Sequence, residues 1–144
     1  LAKRHSHVFE IDRSFSAIMY AKKYSRKNLH YFVADSTSLP FGKQKFDLVL
    51  ALNMLEIVEP LDLIKIISAQ IKSGHVIITD PYDYDRGTNS VKNKLYEKSL
   101  RISLQKFNFK ITNNTKTPSY IPWKLNLNSR AQLNYKADLI IGKK

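Results

Sequence analysis

Short, nearly unbroken apolar runs alternate along this chain with stretches of helical spacing. The runs at 7–11 (HVFEI), 31–34 (YFVA), 46–52 (FDLVLAL) and 75–79 (HVIIT) end on Asp12, Asp35, Asn53 and Asp80. Strands without polar alternation suit a parallel sheet covered on both faces. Between the first two runs, Phe15, Ile18 and Met19, with Ala21 or Lys22, follow helical spacing behind a Ser14 N-cap. That helix is expected to reach about Tyr24 with its apolar stripe on the sheet. Lys22, Lys23, Arg26 and Lys27 load its carboxyl end, as the helix dipole favours. Pro60 suits the first position of a second helix, with Leu61, Ile64, Ile67 and Ile71 on one face and Gly74 as a left-handed stop. A third helix is expected over about 90–106, with Val91, Leu95, Ile102 and Leu104 near one side and Asn108 as its exit.

The remaining pieces are shorter. Residues 36–42 and 83–89 read as loops, with Pro40-Phe41 tucking an aromatic ring inward, and 53–58 as an irregular turn. Residues 109–112 and 137–142 are the expected last two strands, joined by an excursion over 113–135 instead of a helix. Residues 1–4 read as the end of a helix already under way, so the sequence is expected to begin inside a domain. The whole pattern predicts an α/β, Rossmann-like fold: a mostly parallel sheet flanked by helices, with an antiparallel C-terminal strand pair. Ligands of such sheets lie beyond the carboxyl ends of the strands.

Composition narrows this reading. A chain of 144 residues, 43% hydrophobic, is long enough for one domain with a real core, expected here to span 1–144. There is no cysteine, hence no disulfide framework and no thiolate metal site, and a reducing cytoplasm fits. No apolar run approaches the roughly 18 residues that span a bilayer, so no membrane partner is expected. The net charge of +12 is lopsided: residues 1–85 carry 11 basic against 10 acidic residues, and 86–144 carry 13 against 2. Such a segment either meets an anion, a small metabolite or RNA, or is simply a solvated lysine-rich surface.

The strand ends carry the candidate chemistry. A carboxylate placed like Asp12 can accept both hydroxyls of a ribose, a device shared with dinucleotide-binding folds; alternatively it opens an Asp-x-Ser helix cap. Asp35 can accept an exocyclic amine, or start a turn with Ser36. The four histidines, His5, His7, His30 and His75, have no metal-ligand spacing, and no metal is expected. Trp123, Tyr120, Arg130 and Tyr135 share the excursion, where rings beside cations can stack on a base or enclose a ligand, or anchor the loop to the core.

VFEIDRS (8–14), ADSTSLPF (34–41) and FDLVLALNMLEIV (46–58), in this order, resemble a class I S-adenosylmethionine-dependent methyltransferase. The likeness is to the broad small-molecule group with a D-x-x-x-L-P-F signature. It implies S-adenosylmethionine as cofactor, with Asp12 on the ribose, Arg13 beside the adenine, Asp35 and Ser36 on the adenine edge and Asn53 at the methionine end. Leu52 and Met54 would wall the cofactor, and Glu56 would reach toward the substrate or stay solvated. The family's seventh strand is antiparallel, in keeping with the C-terminal pair.

One departure concerns glycine. The family holds the cofactor's carboxylate in a Gly-x-Gly-x-Gly loop, whereas this chain has four glycines, none clustered. The expectation is a fragment whose first, central strand and glycine loop lie just upstream. A general base, where the acceptor needs one, is sought among Asp80, Tyr82, Asp83 and Asp85. Asp80-Pro81-Tyr82 is similar to the Asn/Asp-Pro-Pro-Tyr motif of amino-group methyltransferases but stands one strand late, and a proline turn with a packed tyrosine explains it equally. The alternative function is a non-catalytic, methyltransferase-like module that binds nucleic acid. A nicotinamide-binding enzyme is disfavoured by Asp35, Leu39-Pro40-Phe41 and Asn53.

Overall fold

The computed structural model describes residues 1–38, 40–85 and 91–144. Leu39 of the expected loop, and residues 86–90 of the polar loop and of the third helix's expected start, lie outside them. The chain forms two compact units, residues 1–42 and 43–144.

In the first unit, β1 (Val8–Asp12) and β2 (Leu29–Val33) pair in parallel, from Val8↔Leu29 to Asp12↔Val33. Between them runs α1 (Phe15–Ala21), continued by one 3-10 turn to Tyr24. Ser14 caps α1 as expected, its hydroxyl accepting from Ala17 N–H at 3.2 Å. Residues 1–4 form a single turn instead of a helix end, held by Asn28, whose side-chain amide donates to Ala2 O and His5 O at 2.7 Å each.

Two expectations fail in this unit. Of the α1 stripe only Ile18 is buried; Phe15 is 67% and Met19 46% exposed. β2 is not a buried strand either, since Phe32 and Val33 are exposed. Two strands about 4.8 Å apart make a ribbon under which a short helix can bury little. The ribbon's other face carries an aromatic cluster of Phe9, His30 and Phe32, with Phe41 edge-on to both phenylalanines.

The second unit holds a mixed sheet in the order β3-β4-β7-β5, with β6 on β7. β3 (Leu48–Leu52) and β4 (His75–Asp80) are parallel, connected by α2 (Pro60–Gln70). α3 (Glu97–Lys106) leads through Asn108, in the left-handed region at φ 66°, to the two-residue β5 (Lys110–Ile111). β6 (Tyr120–Asn128) and β7 (Ala131–Lys143) close the chain as a long antiparallel hairpin. β7 also runs antiparallel to β4, from His75↔Lys143 to Asp80↔Asp138. Parallel strands with an antiparallel C-terminal set match the expected fold class.

Leu55, Ile64, Val76, Ile78, Leu100, Leu104 and Ile140 are fully buried and form the core between sheet and helices. On α2, Leu63 replaces the expected Leu61, which stays 41% exposed. α3 starts at Glu97, later than expected, because Ser99 and Tyr96 close a capping box there. Gly74 is not a left-handed stop. A Cβ on it would stand 2.4 Å from Asp47 O, so the residue is needed for close approach. The largest difference is over 113–135, expected as an irregular excursion and found to be mostly hairpin. Among the described residues, no helix is long and apolar enough to cross a membrane.

Candidate functional site

In the first unit, the parallel register brings Asp12 and Asp35 to adjacent strand ends, with Ala34 N–H donating to Asp12 O at 3.1 Å. Asp12 Oδ1 accepts from Ser14 N–H at 2.7 Å, so the carboxylate does open the helix cap while remaining exposed. Asp35 Oδ1 accepts from both the amide and the hydroxyl of Thr37 at 2.7 Å, and Oδ2 lies 3.6 Å from Arg13 Nε. The Thr37 bonds, with help from Arg13, hold Asp35 below the ordinary carboxylate range. Next to it, Ser36 Oγ is buried and has no hydrogen-bond partner among the described residues.

In the second unit, Asn53 ends β3 in the left-handed region at φ 54°, a conformation Asn tolerates better than most residues. Its backbone N–H donates to Thr79 O at 2.7 Å, which fixes the turn against β4, and its Oδ1 is buried without a partner among the described residues. Asp80, at the end of β4, is fully buried; its Oδ2 accepts from Leu55 N–H and its Oδ1 from Tyr82 N–H, both at 2.9 Å. Burial, only partly offset by these amides, pushes its carboxyl up to about 6. Glu56 answers from the other loop, its Oε1 accepting from Asp83 N–H at 2.9 Å. Each loop thus grips the other's backbone. Glu56 is 7% exposed, which excludes the solvated reading.

Tyr82, at φ 56°, donates its hydroxyl to Asp138 Oδ2 at 2.8 Å, and Asp138 is the β7 partner of Asp80. Asp138 is also held by Arg101, at 2.6 and 2.9 Å, and by Ser119 N–H at 2.9 Å. Burial pushes Asp138 up, but Arg101 and these donors outweigh it and keep the carboxyl below its usual range. Burial and the adjacent Asp138 carboxylate push the Tyr82 hydroxyl far above the ordinary phenol range. The Arg101–Asp138 pair was invisible in the sequence: 36 intervening residues separate the partners, and neither belongs to a motif.

Of the substrate-side candidates Glu56, Trp123, Arg130 and Tyr135, three lie on the hairpin, which unites Trp123 with Tyr135 and leaves Arg130 apart. Trp123 and Tyr135 are cross-strand partners with stacked rings, centroids 4.9 Å apart, and Tyr135 Oη donates to Asp83 Oδ2 at 3.0 Å. Arg130 sits at the exposed hairpin turn, five residues and roughly 15 Å along β7 from Tyr135. Tyr120 lies on the opposite face, its hydroxyl donating to Glu97 at 2.7 Å.

This arrangement of sheet and helices is shared with solved S-adenosylmethionine-dependent methyltransferases. One from Methanosarcina mazei, 17% identical, superposes with a TM-score of 0.65 over 96% of this chain and 82% of its own. The N-methyltransferase NodS from Bradyrhizobium japonicum WM9, 13% identical, gives 0.72 over 100% and 76%. Magnesium protoporphyrin IX methyltransferase from Synechocystis PCC 6803, 14% identical, gives 0.66 over 99% and 62%. No curated protein matches the chain by sequence. At the level of family, residues 1–79 match the methyltransferase domain. The chain belongs to that family.

Proposed function

We propose that this chain, taken as one methyltransferase domain over 1–144, serves S-adenosylmethionine-dependent methyl transfer to an acceptor. Asp12 and Arg13 address the ribose and adenine, Asp35 and Ser36 the adenine edge, and Asn53 the methionine end. The observation that carries this reading is that buried polar atoms after β2 and after β3 are left without a partner among the described residues. Buried polar groups normally find partners, and a lone one costs about 1–3 kcal/mol. Among the described residues three such atoms occur, and two of them, Ser36 Oγ and Asn53 Oδ1, follow strands at positions where the family resemblance implies a cofactor contact; the third, Gln70 Oε1, lies at the end of α2. Taken unit by unit, Ser36 Oγ supports a contact to an adenine edge and Asn53 Oδ1 a contact to a methionine chain, although no glycine cluster in this sequence is offered to the carboxylate.

When bound, the cofactor supplies an activated sulfonium methyl, so the protein's task is chiefly alignment of nucleophile and methyl. Asp80 and Tyr82 we assign to support. The first spends its oxygens on backbone amides and the second points its hydroxyl at Asp138. The excess of 13 basic over 2 acidic residues in 86–144 favours an acceptor with anionic character, a small metabolite or RNA, met in a reducing cytoplasm.

Calorimetric titration with S-adenosylhomocysteine tests the reading. Binding is expected, weakened roughly 10- to 100-fold by Asp12→Ala, the worth of a charge-assisted hydrogen bond. No heat at millimolar ligand removes it. The charge excess also supports a second reading, a non-catalytic module that holds nucleic acid. It requires RNA affinity that falls steeply with salt, and salt-independent binding defeats it.

A further inference from the structure

β7 outruns the sheet. Its last pair with β4 is Asp80↔Asp138, so the hairpin beyond Ile121 and Ala137 projects past the carboxyl end of β4 for roughly 20 Å. Directly paired residues share a face. Ile121, Trp123, Leu125, Leu133 and Tyr135 therefore lie on one face, and Lys124, Asn126, Gln132, Asn134 and Lys136 on the other. The sorting is complete: no charged residue falls on the first face between Ile121 and its partner Ala137 and the Leu125↔Leu133 pair. The bond from Tyr135 to Asp83 turns that face toward the loop after β4. Yet it is not consumed as core, since Ile121 is 40% and Leu133 39% exposed.

We propose that this face is the wall of the acceptor site and takes a flat, uncharged ring, stacked in line with the Trp123–Tyr135 pair. The occupant follows from the chemistry of this face. Two rings already stacked at 4.9 Å extend naturally by a third planar group, and the flanking leucines and Ile121 match a neutral ring system. The hairpin's lysines stand on the opposite face, so the part of the acceptor that meets this wall is not its anionic part. The name "acceptor wall" rests on the methyl-transfer reading, but the binding of a flat ring does not.

Trp123 is the only tryptophan in the chain, so its emission reports on this face alone. Titration with caffeine, a neutral flat heteroaromatic, is expected to quench it saturably with about millimolar affinity. The effect should be the same at low and high salt. Leu133→Glu, an exposed position on the same face, should weaken it roughly tenfold by placing a charge against the ring. Lys136→Glu, on the other face, should leave it unchanged, and both variants should melt near the parent. Absent or non-saturating quenching overturns the proposal, as does equal quenching in Leu133→Glu. Quenching by oligouridylate alone, lost at high salt and in Lys136→Glu, overturns it in favour of a nucleic-acid surface. No cofactor enters the cuvette, so failure here and failure to bind S-adenosylhomocysteine are separate results.

Discussion

Asp80 is a carboxylate the fold uses as a brace. Its folded value of about 6 lies above the ordinary 3.8, so the folded state binds a proton more readily than the unfolded chain. Its contribution is therefore fully present below about pH 4 and is lost as pH rises through about 6, by roughly 3 kcal/mol at most. Asp80→Asn removes that dependence. The difference in urea stability between parent and variant should change in the parent's favour from pH 7.5 to pH 4.5. A difference that stays constant would contradict the assignment. Asp12, Asp35 and Asn53 were legible in the sequence because each follows an apolar run, where a strand must end. Glu56 and Asp138 were not, since a lone acid reads as solvated until a partner 27 or 37 residues away is brought to it.

At the scale of elements, the parallel strands and α2 were readable because an unbroken apolar run and a 3.6-residue period each have one good burial solution. The hairpin was not. Trp123 and Leu125 alternate with Lys124 and Asn126 as a half-exposed strand should, but the Pro122 before them weakens that signal. Pro is tolerated on edge strands, and among the described residues β6 pairs only with β7. Gly74 shows the same lesson in a turn, where its spacing after α2 suggested a helix stop and its actual constraint is the backbone of Asp47. Gly74→Ala should cost about 1–3 kcal/mol, the usual toll of overpacking, visible as a lowered melting temperature. A neutral result would mean that the β3–β4 connection yields more easily than its geometry indicates.

For the whole molecule the main fact is the uneven charge. Of the two acids in 86–144, Asp138 is locked against Arg101 and Glu97 accepts the Tyr120 hydroxyl. Setting the buried pair aside leaves twelve basic residues against one acid in that segment. On a sulfonated resin at neutral pH the protein should be held at about 0.1 M salt and released well before about 1 M, where screening shortens to about 3 Å. Passage through the resin at low salt would show the excess to be masked. With an isoelectric point near 9.9, clouding of a concentrated neutral solution cannot come from loss of net charge. It should come from bridging by polyvalent anions, so citrate and phosphate will turn such a solution turbid at concentrations where chloride keeps it clear.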